Sequence, residues 1–519
     1  MTTARSAVFD RATITFLAVL IALTALRIYA LRLEALDLFY DEAQYWMWSR
    51  SFEWGYFTKP PMVAWAIATT TSLFGDSEWA VRLAAPIGQS IAGLALFALG
   101  RSMYGAWAGF WAGLAWLLMP GVSLSSGVIS TDALLLPCWA IALLCAWRLT
   151  ATRAWIWAIA LGIAIGAGLQ AKYAMFYFPL CLAAAAWWSA PARAALGRGR
   201  AMAAGLIALL MLAPNLYWNA SHGFATAQHT AANARFDSPN LFNVSELFEF
   251  LSSQAGVIGP LMFLALIGLF WRAMRRADGL SDQDKFLLAF ILPPLIFVSV
   301  IAFVSRANAN WAAAAYPAAI VWIAGSLFAG KRGRGFLALA TAINAAFAAF
   351  MAYAVLSPEI SNQWKNVRAM RGWDETAREI AVRAAAQPGE APFTAVLVDD
   401  RAMYFELNYY WRHARRAGAP LPPIRMWLLD GEAHNSAEAT DPMREAEGAR
   451  VLAVHQTPGY LPFVAGDFTV FRTVEHLTIP LGGGQNRELE ISIGEGFAPA
   501  PRDAAFMQRL ERERARPSR

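Results

Sequence analysis

Ile14-Thr-Phe-Leu-Ala-Val-Leu-Ile-Ala-Leu-Thr-Ala-Leu-Arg-Ile-Tyr-Ala-Leu-Arg-Leu33 is an apolar run whose only charges are Arg27 and Arg32. A helix needs about 20 mainly apolar residues to cross a bilayer, so this run reads as a spanning helix. Just beyond it stand Tyr40-Asp-Glu-Ala-Gln-Tyr-Trp-Met-Trp48 and then Gly55-Tyr-Phe-Thr-Lys-Pro-Pro61. Two adjacent acids and a lysine locked before a double proline sit where the helix should leave the membrane. Ionisable groups there are costly and are functional candidates by default.

The rest of the chain supports a membrane reading. Of 519 residues, 57% are hydrophobic and 15% are charged, against about 25% charged in an ordinary soluble domain. Mean hydropathy is +0.38. Eleven runs are candidates for spans: 12–33, 80–100, 103–120, 132–149, 154–171, 173–189, 201–219, 251–271, 285–304, 311–329 and 335–356. A break around Gln170-Ala-Lys172-Tyr173 allows 154–189 to be re-entrant instead. The first run has no small-residue cleavage site after it and reads as an uncleaved anchor. Basic clusters alternate between the loops. Arg5 and Arg11, Arg101, Arg148 and Arg153, Arg193 to Arg200, Arg272 to Arg276, and Lys331 to Arg334 fall on one side. Positive-inside bias makes that side cytoplasmic. The net charge of +6 is therefore a topology signal, with no nucleic-acid partner implied. Cys138, Cys145 and Cys181 all lie in apolar runs and staple nothing outside.

The expected fold is a polytopic α-helical membrane protein with about eleven or more transmembrane helices and a C-terminal soluble α/β domain. Residues 1–356 form the transmembrane domain, with long outer loops at 34–79 and 220–250. Residues 360–519 are charged and Pro-rich. Short β-like stretches at 394–398, 425–429, 450–454 and 488–493 alternate there with helix-like ones at 374–386 and 402–412, the pattern of a small α/β unit. An odd number of spans puts it on the periplasmic side of an inner membrane.

Each candidate residue has a plain role as well as a chemical one. Asp41 with Gln44 three residues on fits an N-cap and capping box; it also fits a general base. Lys59 can snorkel to the lipid surface or hold a phosphate as a point charge. Ser130, Thr131 or Asp132 can cap the fourth candidate span. Tyr45, Trp46, Trp48, Trp54, Tyr56 and Phe57 suit an interfacial belt or a stacking surface for a sugar. His222 and His229 lie in the second outer loop at a spacing that is no recognised metal motif. Arg235 and Arg306 are further phosphate contacts on the outer side. Asn308-Ala-Asn310-Trp311 opens a late span at the same surface. No nucleotide-binding loop, CxxC pair or HExxH motif is present.

These features together resemble the GT-C glycosyltransferases, in the bacterial branch related to protein O-mannosyltransferases and the lipid A aminoarabinose transferase. The resemblance rests on Asp41-Glu42 after the first span, Tyr56-Phe-Thr-Lys-Pro-Pro61, Asp132, Asn310-Trp-Ala-Ala-Ala-Ala-Tyr-Pro317 and the C-terminal soluble domain. It spans nearly the whole chain. It implies transfer of a sugar from a polyprenyl-phosphate donor to an envelope acceptor (lipid A, lipopolysaccharide, a glycan or a protein) on the outer face. It makes Asp41 the base, with Asp132 the second catalytic candidate. Lys59 becomes the lipid-phosphate contact. Glu42, Tyr56, His229, Arg235 and Arg306 are the further substrate-binding candidates read from the chain itself. The aminoarabinose transferases carry Asp-Glu-Thr-Arg and Glu-Lys-Pro-Pro, where this chain has Gln44 and Thr58. That Glu belongs to a metal site in those proteins, so a divalent metal is left open here.

A transporter of lipid-linked sugars is the rival reading. It would place ionisable residues or broken helices near the membrane midplane, whereas the charges here concentrate in the outer loops. A scaffold that binds an acceptor through the C-terminal domain is a third reading.

Overall fold

The computed structural model describes residues 10–33, 36–224, 242–276, 279–385, 389–456 and 458–514. Its contacts divide the chain into two units, Met1–Leu33 with Phe52–Tyr353, and Glu34–Ser51 with Ala354–Arg519. Residues 34–51, which the sequence groups with the transmembrane domain, thus belong by contact to the C-terminal unit.

Among the described residues of the first unit, seven helices are long and apolar enough to cross a membrane, and up to eight if a bent pair counts as one span. In chain order the unit contains α1 (Arg11–Leu33), α2 (Met62–Phe74), α3 (Glu78–Tyr104), α4 (Ala106–Leu117), α5 (Thr131–Thr152), α6 (Trp155–Ala171) and α7 (Tyr173–Trp188). It continues with α8 (Arg200–Ser221), α9 (Val244–Ile258), α10 (Pro260–Arg275), α11 (Asp282–Val304), α12 (Ala309–Phe328) and α13 (Lys331–Leu356). The expected eleven spans are therefore not all long helices. The run 103–120 contributes only the 12 residues of α4. The run 154–189 is two short helices parted at Lys172, whose backbone is extended. The run 251–271 falls within α9 and α10, which bend by 114°. Composition reports the apolar surroundings of these segments but not where the helix axis breaks.

The bend has a local cause. Gly259 has φ +96°, a region that side chains disfavour, and Pro260 starts the next helix. Asn344, buried in α13, donates its amide to the Ile258 carbonyl at 3.1 Å. The broken helix end is thus satisfied inside the protein, as an apolar surrounding requires. Elsewhere in this unit α5 packs on α3 and α6, and α6 on α8. Phe16 stacks on Phe97 with centroids 4.5 Å apart. Thr24 and Ser90 hydroxyls meet at 2.6 Å, the kind of polar contact that joins helices where the hydrophobic effect does not drive their association.

The second unit holds α14 (Tyr40–Trp48), α15 (Trp373–Ala384) and α16 (Arg401–Tyr410) beside a five-stranded sheet. Its strands are β1 (Ala395–Val398), β2 (Ile424–Met426), β3 (Arg450–His455), β4 (Phe468–Gly482) and β5 (Gln485–Phe497), in the order β2-β1-β3-β5-β4. β2, β1 and β3 run parallel, while β5 and β4 are antiparallel additions. The continuous Ala395-Val-Leu-Val398 is buried on both faces, as a central parallel strand must be. Trp427, Val451, Ala453, Phe468 and Phe497 pack with it in one core.

Candidate active site

The two adjacent acids have different jobs. α14 begins at Tyr40, and the N-cap is Phe39, which has no capping side chain. Glu42, at the third helical position, accepts the Phe39 backbone N–H at 3.0 Å and is fully buried. Capping therefore belongs to Glu42, not to Asp41 as the sequence suggests. Gln44 is occupied elsewhere: its amide donates to the Ser436 hydroxyl at 3.1 Å in a buried contact. Asp41, at the second helical position, keeps a side chain 39% exposed and lies 3.6 Å from the Arg401 guanidinium. That guanidinium also lies over the Tyr40 ring, 4.7 Å from its centroid.

The rest of α14 is fixed to its own unit. Trp46 meets Tyr409 edge to face at 5.0 Å. The Tyr410 hydroxyl accepts the Leu38 N–H at 3.1 Å, and Asp37 accepts the Trp373 N–H at 2.7 Å. Nearby, Arg487 donates to Thr376 at 2.8 Å and to the Arg371 carbonyl at 2.9 Å. Burial lowers its guanidinium to about 10 against the opposing pull of Glu406, Asp37 and Asp400.

In the membrane unit the loop before α2 is held by polar and aromatic contacts. Asn215 donates to the Trp54 carbonyl at 2.7 Å. Trp218 and Trp65 donate to Glu53, at 3.2 Å to its side chain and 3.0 Å to its carbonyl. A Cβ at Gly55 would come within 2.5 Å of the Trp218 ring, so only glycine fits between loop and helix. Tyr56 and Lys59 exchange backbone hydrogen bonds at 3.0 and 3.3 Å, which closes a tight turn just ahead of Pro60. Tyr56 is buried, and burial pushes its hydroxyl up to about 12. Lys59 is partly exposed.

The same unit brings together three polar residues from separate elements. Asp132 receives the Lys172 ammonium on one carboxylate oxygen and the Asn310 amide on the other, each at 2.7 Å. Ser130 is the N-cap of α5, so the carboxylate of Asp132 serves a contact other than capping. Next to Lys172, the Tyr173 hydroxyl donates to Asn215 at 2.7 Å and accepts from Asn219 at 3.1 Å. Arg306 is exposed in the stretch leading to Asn310. Sequence reading noted Lys172 only as a break and Asn310 only as the start of a late span and part of the family resemblance, with no role in a site. The signal for Lys172 was present as a cation inside an apolar run; that for its partners was not, because 40 and 178 residues separate them from Asp132.

His222 stacks on Trp218 at 4.1 Å. His229 and Arg235 lie outside the described residues. Among the described residues, no group of three or more His, Cys, Asp or Glu side chains is placed to hold a metal ion.

Residues 58–218 match the family of dolichyl-phosphate-mannose-protein mannosyltransferases. The lipid A galacturonosyltransferase RgtD of Rhizobium johnstonii is 33% identical over 417 residues, which cover 78% of this chain and 85% of that protein. Among solved structures, ArnT from Cupriavidus metallidurans bound to undecaprenyl phosphate superposes with a TM-score of 0.61 at 17% identity, covering 94% of this chain and 99% of ArnT. The oligosaccharyltransferase AglB from Archaeoglobus fulgidus, in complex with an inhibitory peptide and a dolichol-phosphate, gives 0.51 at 13% identity and covers 87% of this chain and 70% of AglB.

Proposed function

The chain belongs to the GT-C membrane glycosyltransferases, and from that membership we propose that it transfers a sugar from a polyprenyl-phosphate donor to lipid A or a related envelope acceptor. Galacturonic acid and lipid A are the first sugar and acceptor to test, because RgtD is named for both. The lipid phosphates bound by ArnT and AglB support the donor class. The periplasmic face is the proposed side, supported by the basic clusters on the opposite loops.

The observation that carries the chemistry is the separation of roles between neighbouring acids. Glu42 is buried at the helix start, while Asp41 keeps an exposed carboxylate beside a cation. A general base needs that ionised and accessible form. In the proposed step the acceptor O–H proton passes to Asp41 as the acceptor oxygen bonds to the anomeric carbon. The bond from that carbon to the phosphate oxygen breaks, and its electron pair leaves with the polyprenyl phosphate. Attack from the face opposite the leaving group inverts the anomeric centre. Charge develops on the departing phosphate, where fixed cations lower the barrier. Lys59, on its closed turn, is the proposed contact, with Arg306 nearby in role. Asp132 holds Lys172 in place, so that pair is a further candidate part of the site. No nucleotide is required, since the donor already carries its leaving group.

The test is incubation of the purified protein in lipid nanodiscs with polyprenyl-phosphate galacturonic acid and lipid A, read by mass spectrometry. A galacturonosylated lipid A is expected. Flipping of the donor across liposomes with no transfer to any envelope acceptor would favour the transporter reading instead.

A further inference from the structure

We infer that Arg401 is a positioning residue for this transfer: it holds the Asp41 carboxylate oriented, so that the C-terminal α/β unit supports the catalytic base. The inference rests on the reading of Asp41 as base.

Three observations carry it. First, α14 is built into the C-terminal unit through buried contacts, namely Gln44 with Ser436, Trp46 with Tyr409, and the wholly buried Glu42. Those contacts dock the helix. Second, the Arg401–Asp41 pair is not one of them. Its side chains are 35% and 39% exposed at 3.6 Å, and exposed ion pairs contribute only about 0–1 kcal/mol. Stability therefore gives little reason for the guanidinium to be there. Third, Arg401 is held on two sides. It is the first residue of α16, whose N-cap Asp400 accepts the Ala402 and Met403 N–H groups at 2.8 and 3.3 Å. Its guanidinium also lies over Tyr40, the residue before Asp41.

The physical effect is direct. A cation 3.6 Å away attracts the carboxylate and narrows the orientations it samples. Asp41 also sits in the first turn of α14, and Arg401 opens α16, so the positive ends of two helix dipoles reinforce the guanidinium. An ionised carboxylate kept in one orientation is what the proton transfer needs.

The test compares Arg401→Ala, Arg401→Lys, Asp41→Asn and the Asp41→Asn/Arg401→Ala double variant in the nanodisc transfer assay at matched folded protein. Arg401→Ala should lower kcat by about 10- to 100-fold, the scale of a misplaced catalytic group. KM for the donor should stay within about twofold, because the lost interaction is not with the donor. Arg401→Lys should recover part of kcat. The double variant should be no slower than Asp41→Asn, since a residue acting through Asp41 has nothing left to act on. Should Arg401→Ala fail to fold, Arg401→Gln carries the same expectation. Wild-type kcat in Arg401→Ala, a raised donor KM at unchanged kcat, or additive losses in the double variant would each overturn the inference while leaving the base reading intact. Full activity in Asp41→Asn would remove the base reading itself.

Discussion

Asp132 accepts hydrogen bonds from two sides, and that decides what a substitution there does. An asparagine can still accept from Lys172 and, with the Asn310 amide turned over, donate to its oxygen, but it leaves the Lys172 ammonium without its counter-charge. Asp132→Asn should therefore lose transfer and about 1–3 kcal/mol of stability, the scale of leaving a partly buried charge without its partner. Adding Asn310→Asp restores the local charge. If the double variant regains stability but not transfer, the negative charge is needed at position 132 itself. If Asp132→Asn melts and transfers as wild type, the Lys172–Asp132–Asn310 contact has no place in the site. At this scale the sequence named Asp41, Lys59 and Asp132 because each is an ionisable group beside an apolar run. It misassigned the cap, since the helix starts behind Phe39, whose side chain cannot cap, and Glu42 accepts the backbone N–H instead. Arg401 was invisible, because nothing local links a residue of the C-terminal unit to one 360 positions earlier.

At the scale of elements, the bend between α9 and α10 is set by one glycine and one asparagine. A Cβ at position 259 would lie 2.0 Å from the Asn344 side-chain oxygen, on a backbone with φ +96°. Gly259→Ala should cost about 1–3 kcal/mol from backbone strain alone and more from the clash, seen as a lower melting temperature in detergent. Asn344→Leu should also destabilise, because the Ile258 carbonyl loses that donor. A melting temperature unchanged by either would mean that the bend does not depend on this contact. The apolar runs revealed most helices, yet helix breaks such as Lys172 and Gly259 are backbone events that hydropathy averages away. Two expected strand stretches lie within a residue of β1 and β3, the one at 425–429 starts one residue late and runs three past β2, and the fourth lies inside the longer β5. β4 went unread because its first half is mostly exposed and without alternation, and Pro480 interrupts the half in which Leu477, Ile479 and Leu481 alternate with exposed residues. The glycines 482–484, all with positive φ, were the available sign of its turn into β5.

For the molecule as a whole, the main outcome is that the proposed base and the membrane cations belong to different units. The first-loop helix is grouped with the C-terminal unit, whereas Lys59, Asp132 and Lys172 belong to the membrane unit. The linear sequence hides this, since α14 lies only a few residues beyond α1. Sidedness can be argued without counting spans. Lys331, Arg332 and Arg334 lie at the start of α13, which leads directly into the C-terminal unit. If those charges are cytoplasmic, one crossing carries the C-terminal unit out. A reporter fused after residue 360 should then be active only outside the cytoplasm, and a cytoplasmic signal would reverse the proposed side of transfer.

The most direct measurement is sugar transfer by purified Asp41→Asn with a synthetic polyprenyl-phosphate donor, compared with wild type at matched folded protein. Asparagine keeps the size of the side chain and the helix propensity of this exposed position, but it cannot take a proton from the acceptor hydroxyl. The account predicts a loss on the order of 10² to 10⁴ in rate with near-normal insertion and melting. Near-wild-type transfer by Asp41→Asn would contradict it.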